Sequence, residues 1–262
     1  MIKIENCDNL ELLKSQPNES IDLIYCDILY GTGRNFGDYQ DLKPKRDIIE
    51  SHYLPRLVEM KRVLKQNGSI YLQMDFRISH WIRCLMDDIF GYDNFRNEII
   101  WCYGAGGSSK KVPFATKHDN IFLYSKNSEY NFNLLKDENG SRVKDWWRIQ
   151  SIADKSGYLQ KDNEFRVYNT QKPKALIERI IKASSNKGDT VADFYMGSGT
   201  TAEVCYDLKR NFIGCDISEK AVSIAVKRIQ DAGGNVIQQR LSAEAEASTL
   251  PKGSVIYSQN VV

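Results

Sequence analysis

The stretch "TVADFYMGSGTTAEVCYDLKRNFIGCD", residues 190–216, limits the fold more than any other part of the chain. It reads as an apolar strand, a glycine turn, a helix and a second apolar strand, the order of a parallel βαβ unit. Strands joined in this way are covered on both faces, so the chain needs helices on each side of a sheet. Ligands of open α/β sheets bind beyond the carboxyl ends of the strands, where glycines let the backbone come close. Gly197 and Gly199 are placed for that, and Ser198, Thr200 and Thr201 offer hydroxyls at a helix N-terminus. Asp216 ends the second strand twenty-three residues after Asp193, the spacing at which a carboxylate reaches ribose hydroxyls. A G-x-G turn alone is a common structural device; with the strand, the helix and Asp216 it favours a cofactor containing a nucleoside. No Walker lysine follows, which argues against a phosphate cradle, while Ala202 at the third glycine position keeps the dinucleotide spacing open.

The remaining chain repeats the alternation. "IKIEN" and "IDLIYC" read as strands, with a short helix between them capped by Asp8. A helical stripe of Ile48, Ile49, Leu54, Leu57, Val58, Val63 and Leu64 runs from about Asp47 to Lys65, with Pro55 opening a second helical piece and Asn67-Gly68 stopping it. "SIYLQM", "NEIIWCY" and "NIFLYS" are further strands, and "RISHWIRCLMDDIFG" is a helix. The pattern breaks up after Tyr130 and resumes at Pro173 with a helix ending at Gly188; the last helix is "SEKAVSIAVKRIQ". The expected fold is a Rossmann-like α/β domain with a mostly parallel central sheet, helices on both faces and an insertion. Beyond Gly234 the sequence is polar and weakly patterned, as an appendage or a poorly ordered tail.

Charge separates the insertion from its surroundings. Residues 101–182 hold 15 Lys/Arg against 9 Asp/Glu, or +6, and the rest of the chain 21 against 25, or −4. A solvated loop region accounts for this on charge alone. A nucleic-acid surface accounts for it too, with Lys110 and Lys111 of "GGSSKK" on phosphates and Tyr103, Trp146 and Trp147 on bases or sugars. The six cysteines have no C-x-x-C spacing and the three histidines no ligand spacing. With no signal pattern at the N-terminus and no apolar run near the ~20 residues of a membrane span, the expectation is a cytoplasmic, reduced, metal-free protein.

A second corner lies near the N-terminus. The buried run "IDLIYC" stops at Asp27, then come Ile28, Leu29 and Tyr30, then Gly31 and Gly33. Farther on stand Thr170-Gln171-Lys172-Pro173 and the loop from Asp193 through Tyr195 to Thr201. In content and order these segments resemble the β-class amino-group DNA methyltransferases, with their D-P-P-Y corner, central target-recognition region, T-Q-K-P element and D-P-F-x-G-S-G-T-T loop. The resemblance spans roughly residues 1–231, and both corner prolines are absent here, replaced by Ile28 and Leu29.

The resemblance implies S-adenosylmethionine as cofactor, double-stranded DNA as substrate and a base flipped out of the stack. It divides the chain into a catalytic half (1–103), a target-recognition insertion (104–168), a cofactor-binding half (169–233) and a tail (234–262). Asp27 and the carbonyl of Ile28 then accept the hydrogens of the target amine, and Tyr30 stacks on the base. Asp8, Lys172, Asp193, Tyr195, Gly197, Ser198, Gly199, Thr200, Thr201 and Asp216 surround the cofactor. Asp at the first corner position points to adenine N6; cytosine N4 methylation and a catalytically weak, DNA-binding relative are the alternatives. A homodimer and a cognate restriction enzyme are the further partners it suggests. Proline restored at 28 or 29 is expected to be tolerated.

Overall fold

A computed structural model describes residues 1–35, 40–104, 114–152 and 171–238. In chain order the elements are β1 (Ile2–Asn6), α1 (Asn9–Ser15), β2 (Ile21–Asp27), α2 (Arg46–Val63), β3 (Leu64–Met74), α3 (Phe76–Phe90), β4 (Phe95–Cys102) and β5 (His118–Ser125). They continue with β6 (Trp146–Arg148), α4 (Lys174–Ser184), β7 (Thr190–Asp193), α5 (Thr200–Asp207), β8 (Asn211–Asp216), α6 (Glu219–Asp231) and β9 (Val236–Gln238).

These strands form one sheet in the order β6-β4-β5-β3-β2-β7-β8-β1-β9. β5 alone runs against its neighbours β3 and β4; the other pairings are parallel. Alternation along each strand feeds two cores. On one face Ile24, Cys26, Ile70 and Leu72 pack with α1, α2 and α3; on the other Leu23, Tyr25 and Tyr71 pack with α4, α5 and α6. From β2 the chain moves outward to β3, and from β7 it moves the other way to β8, so the order reverses between β2 and β7. A crevice opens at such a reversal. Among the described residues no helix is long and apolar enough to cross a membrane.

Several local expectations change. α2 is continuous across Pro55, and Leu54 and Val58 of the expected stripe are exposed. Its buried face is instead Ile49, Tyr53, Leu57, Met60 and Val63, and their packing outweighs the one backbone bond that proline removes. Asn67-Gly68 does not stop this helix, which ends at Val63; Gly68 lies within β3, where a Cβ would meet Asp22 O at 2.9 Å. α4 ends at Ser184, short of Gly188. Two strands carried no recognisable pattern: β6, three residues paired with β4, and β9, which lies on β1 inside the expected tail.

Candidate active site

A cavity of about 620 Å³ occupies the crevice between β2 and β7. Its wall includes Asp8, Asp27, Ile28, Tyr30, Lys172, Asp193, Tyr195, Gly197, Ser198, Thr200, Thr201 and Asp216. Both motifs read from the sequence therefore face one space, although residues 27 and 193 are far apart in the chain.

One wall is built by β7, β8 and the turn between β7 and α5. Asp193 is buried, accepting a hydrogen bond from Thr201 Oγ1 at 2.6 Å and one from the Tyr195 amide at 3.0 Å. Burial raises its carboxyl to about 7, against these two hydrogen bonds. Asp216 Oδ2 accepts the Gly197 amide at 2.9 Å and Oδ1 the Ser218 amide at 2.8 Å, which fixes its head at the rim. Ile217 beside it is 69% exposed and forms an apolar lip. Gly199 departs from its expected role: it does not line the cavity. At φ +79° it caps α5, and a Cβ there would sit 2.5 Å from Ala225 Cβ, so it is glycine for helix packing. Arg228 of α6 donates to Thr200 Oγ1 and Ser198 O, both at 3.2 Å, clamping the turn. Asp8 caps α1 through the Leu10 amide and pairs with Arg56 at 2.9 Å. Tyr195 OH lies 3.2 Å from His52 Nε2; burial, then the nearby Arg56, lowers His52 to about 4, so that imidazole is neutral at pH 7.

The facing wall is the end of β2. Ile28 N donates to Gln73 O at 3.0 Å and Tyr53 OH donates to Leu29 O at 3.1 Å. Gly31 then turns at φ +66°, where a Cβ would strike Ile78 Cγ2 at 2.5 Å. The buried Asp41 carboxylate gathers the amides of Gly31, Thr32 and Leu42, which explains the glycines behind the corner. Lys172, on the wall of the same cavity, is ion-paired with Asp27 Oδ2 and lies 5.3 Å from the centre of the Tyr30 ring. Tyr30 OH stands 2.9 Å from Asp27 Oδ1 and 2.5 Å from Asp119 Oδ2.

Asp119 was not legible as a site residue. It is the second residue of β5, is 2% exposed, and receives Gln73 Nε2 at 2.8 Å and Tyr103 OH at 3.1 Å. Tyr25 OH in turn donates to Gln73 Oε1 at 2.8 Å. The available signal was a polar residue at the end of an apolar run, as in "SIYLQM" and "HDNIFLYS".

Outside the cavity the expected DNA contacts divide. Lys110 and Lys111 lie outside the described residues. Trp147 is a core residue, 6% exposed, with Nε1 donating to Lys144 O at 2.8 Å, because β6 turns it toward Trp101 and Ile99. Trp146 faces the other way, 47% exposed, with Lys144 Nζ 5.3 Å and Arg148 Cζ 5.4 Å from its ring. Among the described residues no group of His, Cys, Asp and Glu is arranged to hold a metal.

A glycine turn and an acidic corner opening into one cavity at the reversal of the sheet define a Rossmann-like ligand-binding domain. The chain belongs to the DNA methylase family of the N6/N4 type, whose model matches residues 21–227. It is 33% identical over 253 residues to the type II methyltransferase M.HpaI of Haemophilus parainfluenzae, covering 90% of this chain and 77% of that one. It is 29% identical to the DNA adenine methyltransferase YhdJ of Escherichia coli (strain K12), covering 86% and 81%. The crystal structure of M1.HpyAVI in complex with SAM has the same fold, with a TM-score of 0.62 at 23% identity, covering 87% of this chain and all of that one.

Proposed function

We propose that the protein methylates adenine N6 in double-stranded DNA, using S-adenosylmethionine, at a specific sequence. The observation that carries this reading is the Asp27 carboxylate at the end of β2, in the same cavity as the 197–201 turn and Asp216. The name of one relative, a DNA adenine methyltransferase, supports the target, and that of another, a type II methyltransferase, supports a restriction–modification setting.

The residues fit the cofactor. Asp216, held by two backbone amides, offers its remaining acceptor capacity to ribose hydroxyls, and Ile217 offers an apolar face to the adenine ring. Gly197 allows close approach at φ +53°, with no atom within 4 Å of where a Cβ would stand. When bound, the cofactor supplies a methyl group on a positively charged sulfur. The protein's task is then to turn the amine lone pair, otherwise delocalised into the ring, toward that methyl group. Asp27 accepts one N–H and the Ile28 carbonyl the other, and Tyr30 packs on the flipped base. Transfer would break the sulfur–methyl bond, whose electron pair stays on the then neutral sulfur, and the methylated amine would give up one proton to the Asp27 carboxylate. Lys172, ion-paired with Asp27 Oδ2, holds that carboxylate in place on the cavity wall. Positioning and pre-set charge carry the rate, and no covalent enzyme intermediate is needed.

For target recognition we propose the basic segment 104–168, with Trp146, Lys144 and Arg148 as its described contact strip. Labelled methyl transfer to mixed-sequence DNA, followed by nucleoside analysis, tests the reading. N6-methyladenine is expected, and Asp27→Ala lowers turnover by about 10²–10³ while cofactor binding persists. N4-methylcytosine as the product overturns the choice of base. Binding of cofactor and DNA with no transfer overturns the enzymatic reading.

A further inference from the structure

Three oxygens lie in a chain at the corner. Asp27 Oδ1 is 2.9 Å from Tyr30 OH, and Tyr30 OH is 2.5 Å from Asp119 Oδ2. A phenol has one hydrogen, so it donates to one of the two carboxyls. The other contact needs a proton on the carboxyl side, or two negatively charged oxygens face a single phenolic hydrogen. Asp27 is already balanced by Lys172. Among the described residues no cation lies at contact distance from Asp119; besides Tyr30 its partners are the neutral donors Gln73 and Tyr103, and it is 2% exposed.

We infer that Asp119 is held as a neutral acid that donates its proton to the Tyr30 oxygen, which directs the Tyr30 hydroxyl onto Asp27 and makes Asp119 a positioning residue for the amine acceptor. The direction of its titration agrees. Burial pushes the Asp119 carboxyl above the usual range, opposed first by the Lys172 charge and then by the Tyr30 hydrogen bond. Tyr30 is also pushed well above the ordinary phenol value, by burial and then by Asp119 and Asp27, so its hydroxyl stays protonated. Among the described residues, the charged and titratable groups around Asp119 include Asp27 and Tyr25 of β2, Tyr30 beyond it, Asp75 before α3 with its partner Arg77, Tyr103 after β4, and Lys172 before α4. Only Asp27 is paired with the lysine. With Asp119 neutral the corner keeps one negative charge, facing the place of the amine. With Asp119 ionised, a second charge turns the Tyr30 hydrogen away from Asp27.

The inference rests on Asp27 as the amine acceptor, so one readout is independent of catalysis. The infrared spectrum of the parent at neutral pH should contain the C=O stretch of a protonated carboxyl that Asp119→Asn removes; subtracting the two spectra cancels other buried acids such as Asp193. In methyl transfer, Asp119→Asn, which keeps a neutral hydrogen-bonding head, should retain most of the parent's turnover, whereas Asp119→Ala loses about 10²-fold through misplacement of the corner. The parent should lose activity as rising pH removes the Asp119 proton, and Asp119→Asn, which cannot ionise, should lack that fall. No difference band, or an Asn variant as impaired as the Ala variant, overturns the assignment. A parent with the band but no methyl transfer leaves Asp119 as assigned and removes the proposed function instead.

Discussion

At the scale of residues, the site is governed by which carboxyls are charged. Asp193 binds a proton more tightly folded, at about 7, than unfolded, where a carboxyl titrates near 3.9. Its contribution to stability is whole below about pH 4 and is lost as pH rises toward 7, on the order of 4 kcal/mol. His52 acts in the opposite sense: held at about 4 when folded, it costs stability as pH falls below its unfolded value near 6.5. The two trends overlap in the parent, so Asp193→Asn separates them. Urea unfolding at a series of pH values should show the variant gaining on the parent between pH 4 and 7, and no further above it. Asp216→Ala should weaken cofactor binding by roughly 1.5–3 kcal/mol, the scale of a charge-assisted contact. Calorimetry on the folded variant checks this, and unchanged affinity removes Asp216 from the ribose position.

At the scale of elements, the corner shows how one backbone can be held in two ways. Where the resembled enzymes have prolines, β2 here continues through a hydrogen bond from Ile28 N to Gln73 O, with Leu29 O tied to Tyr53. The sequence-based expectation that proline at 28 is tolerated therefore reverses. Ile28→Pro deletes a buried N–H bond and leaves the Gln73 carbonyl without that donor, a loss of about 1–3 kcal/mol. A lowered unfolding midpoint should accompany lowered turnover; a variant at least as stable as the parent refutes this. The same corner marks what the sequence could convey. Asp27, the glycine turn and Asp216 were legible because local spacing and strand ends carry them. Asp119 and Gln73 were not, because they meet Tyr30 only through the pairing of β3 with β2 and of β5 with β3, which no local pattern encodes. Trp147 misled for the complementary reason: next to Trp146 in sequence, it points to the opposite face of a three-residue strand.

At the scale of the whole molecule, charge and topology divide the work. The +6 segment 101–182 stands against a remainder of −4. β6 lies at one edge of the sheet, with Ile100 of β4 opposite Trp146. If Lys144 and Arg148 contact phosphates as proposed, each steepens the salt dependence of DNA affinity, and their joint replacement by alanine should flatten log K against log salt by about 1–2. A plot that overlays the parent's removes this edge from the DNA surface. The alternation of strands and helices made the parallel body of the sheet readable. β9 was not, since three residues without an apolar repeat join the sheet only because β1 offers them an open edge.

The junction of β2 with β7 also has a consequence for synthesis. It consists of two backbone pairs, Leu23 with Val191 and Ile24 with Ala192, and it closes the cavity between segments far apart in the order of synthesis. A ribosome that has finished Asp27 must add more than 160 further residues before the opposite wall exists. Until then a growing chain has the acidic corner and no opposing turn, and β2 has one bare edge of the kind that recruits other strands. Methylating capacity is thus withheld from every incomplete copy, and premature termination before residue 190 should yield aggregates, not partial activity.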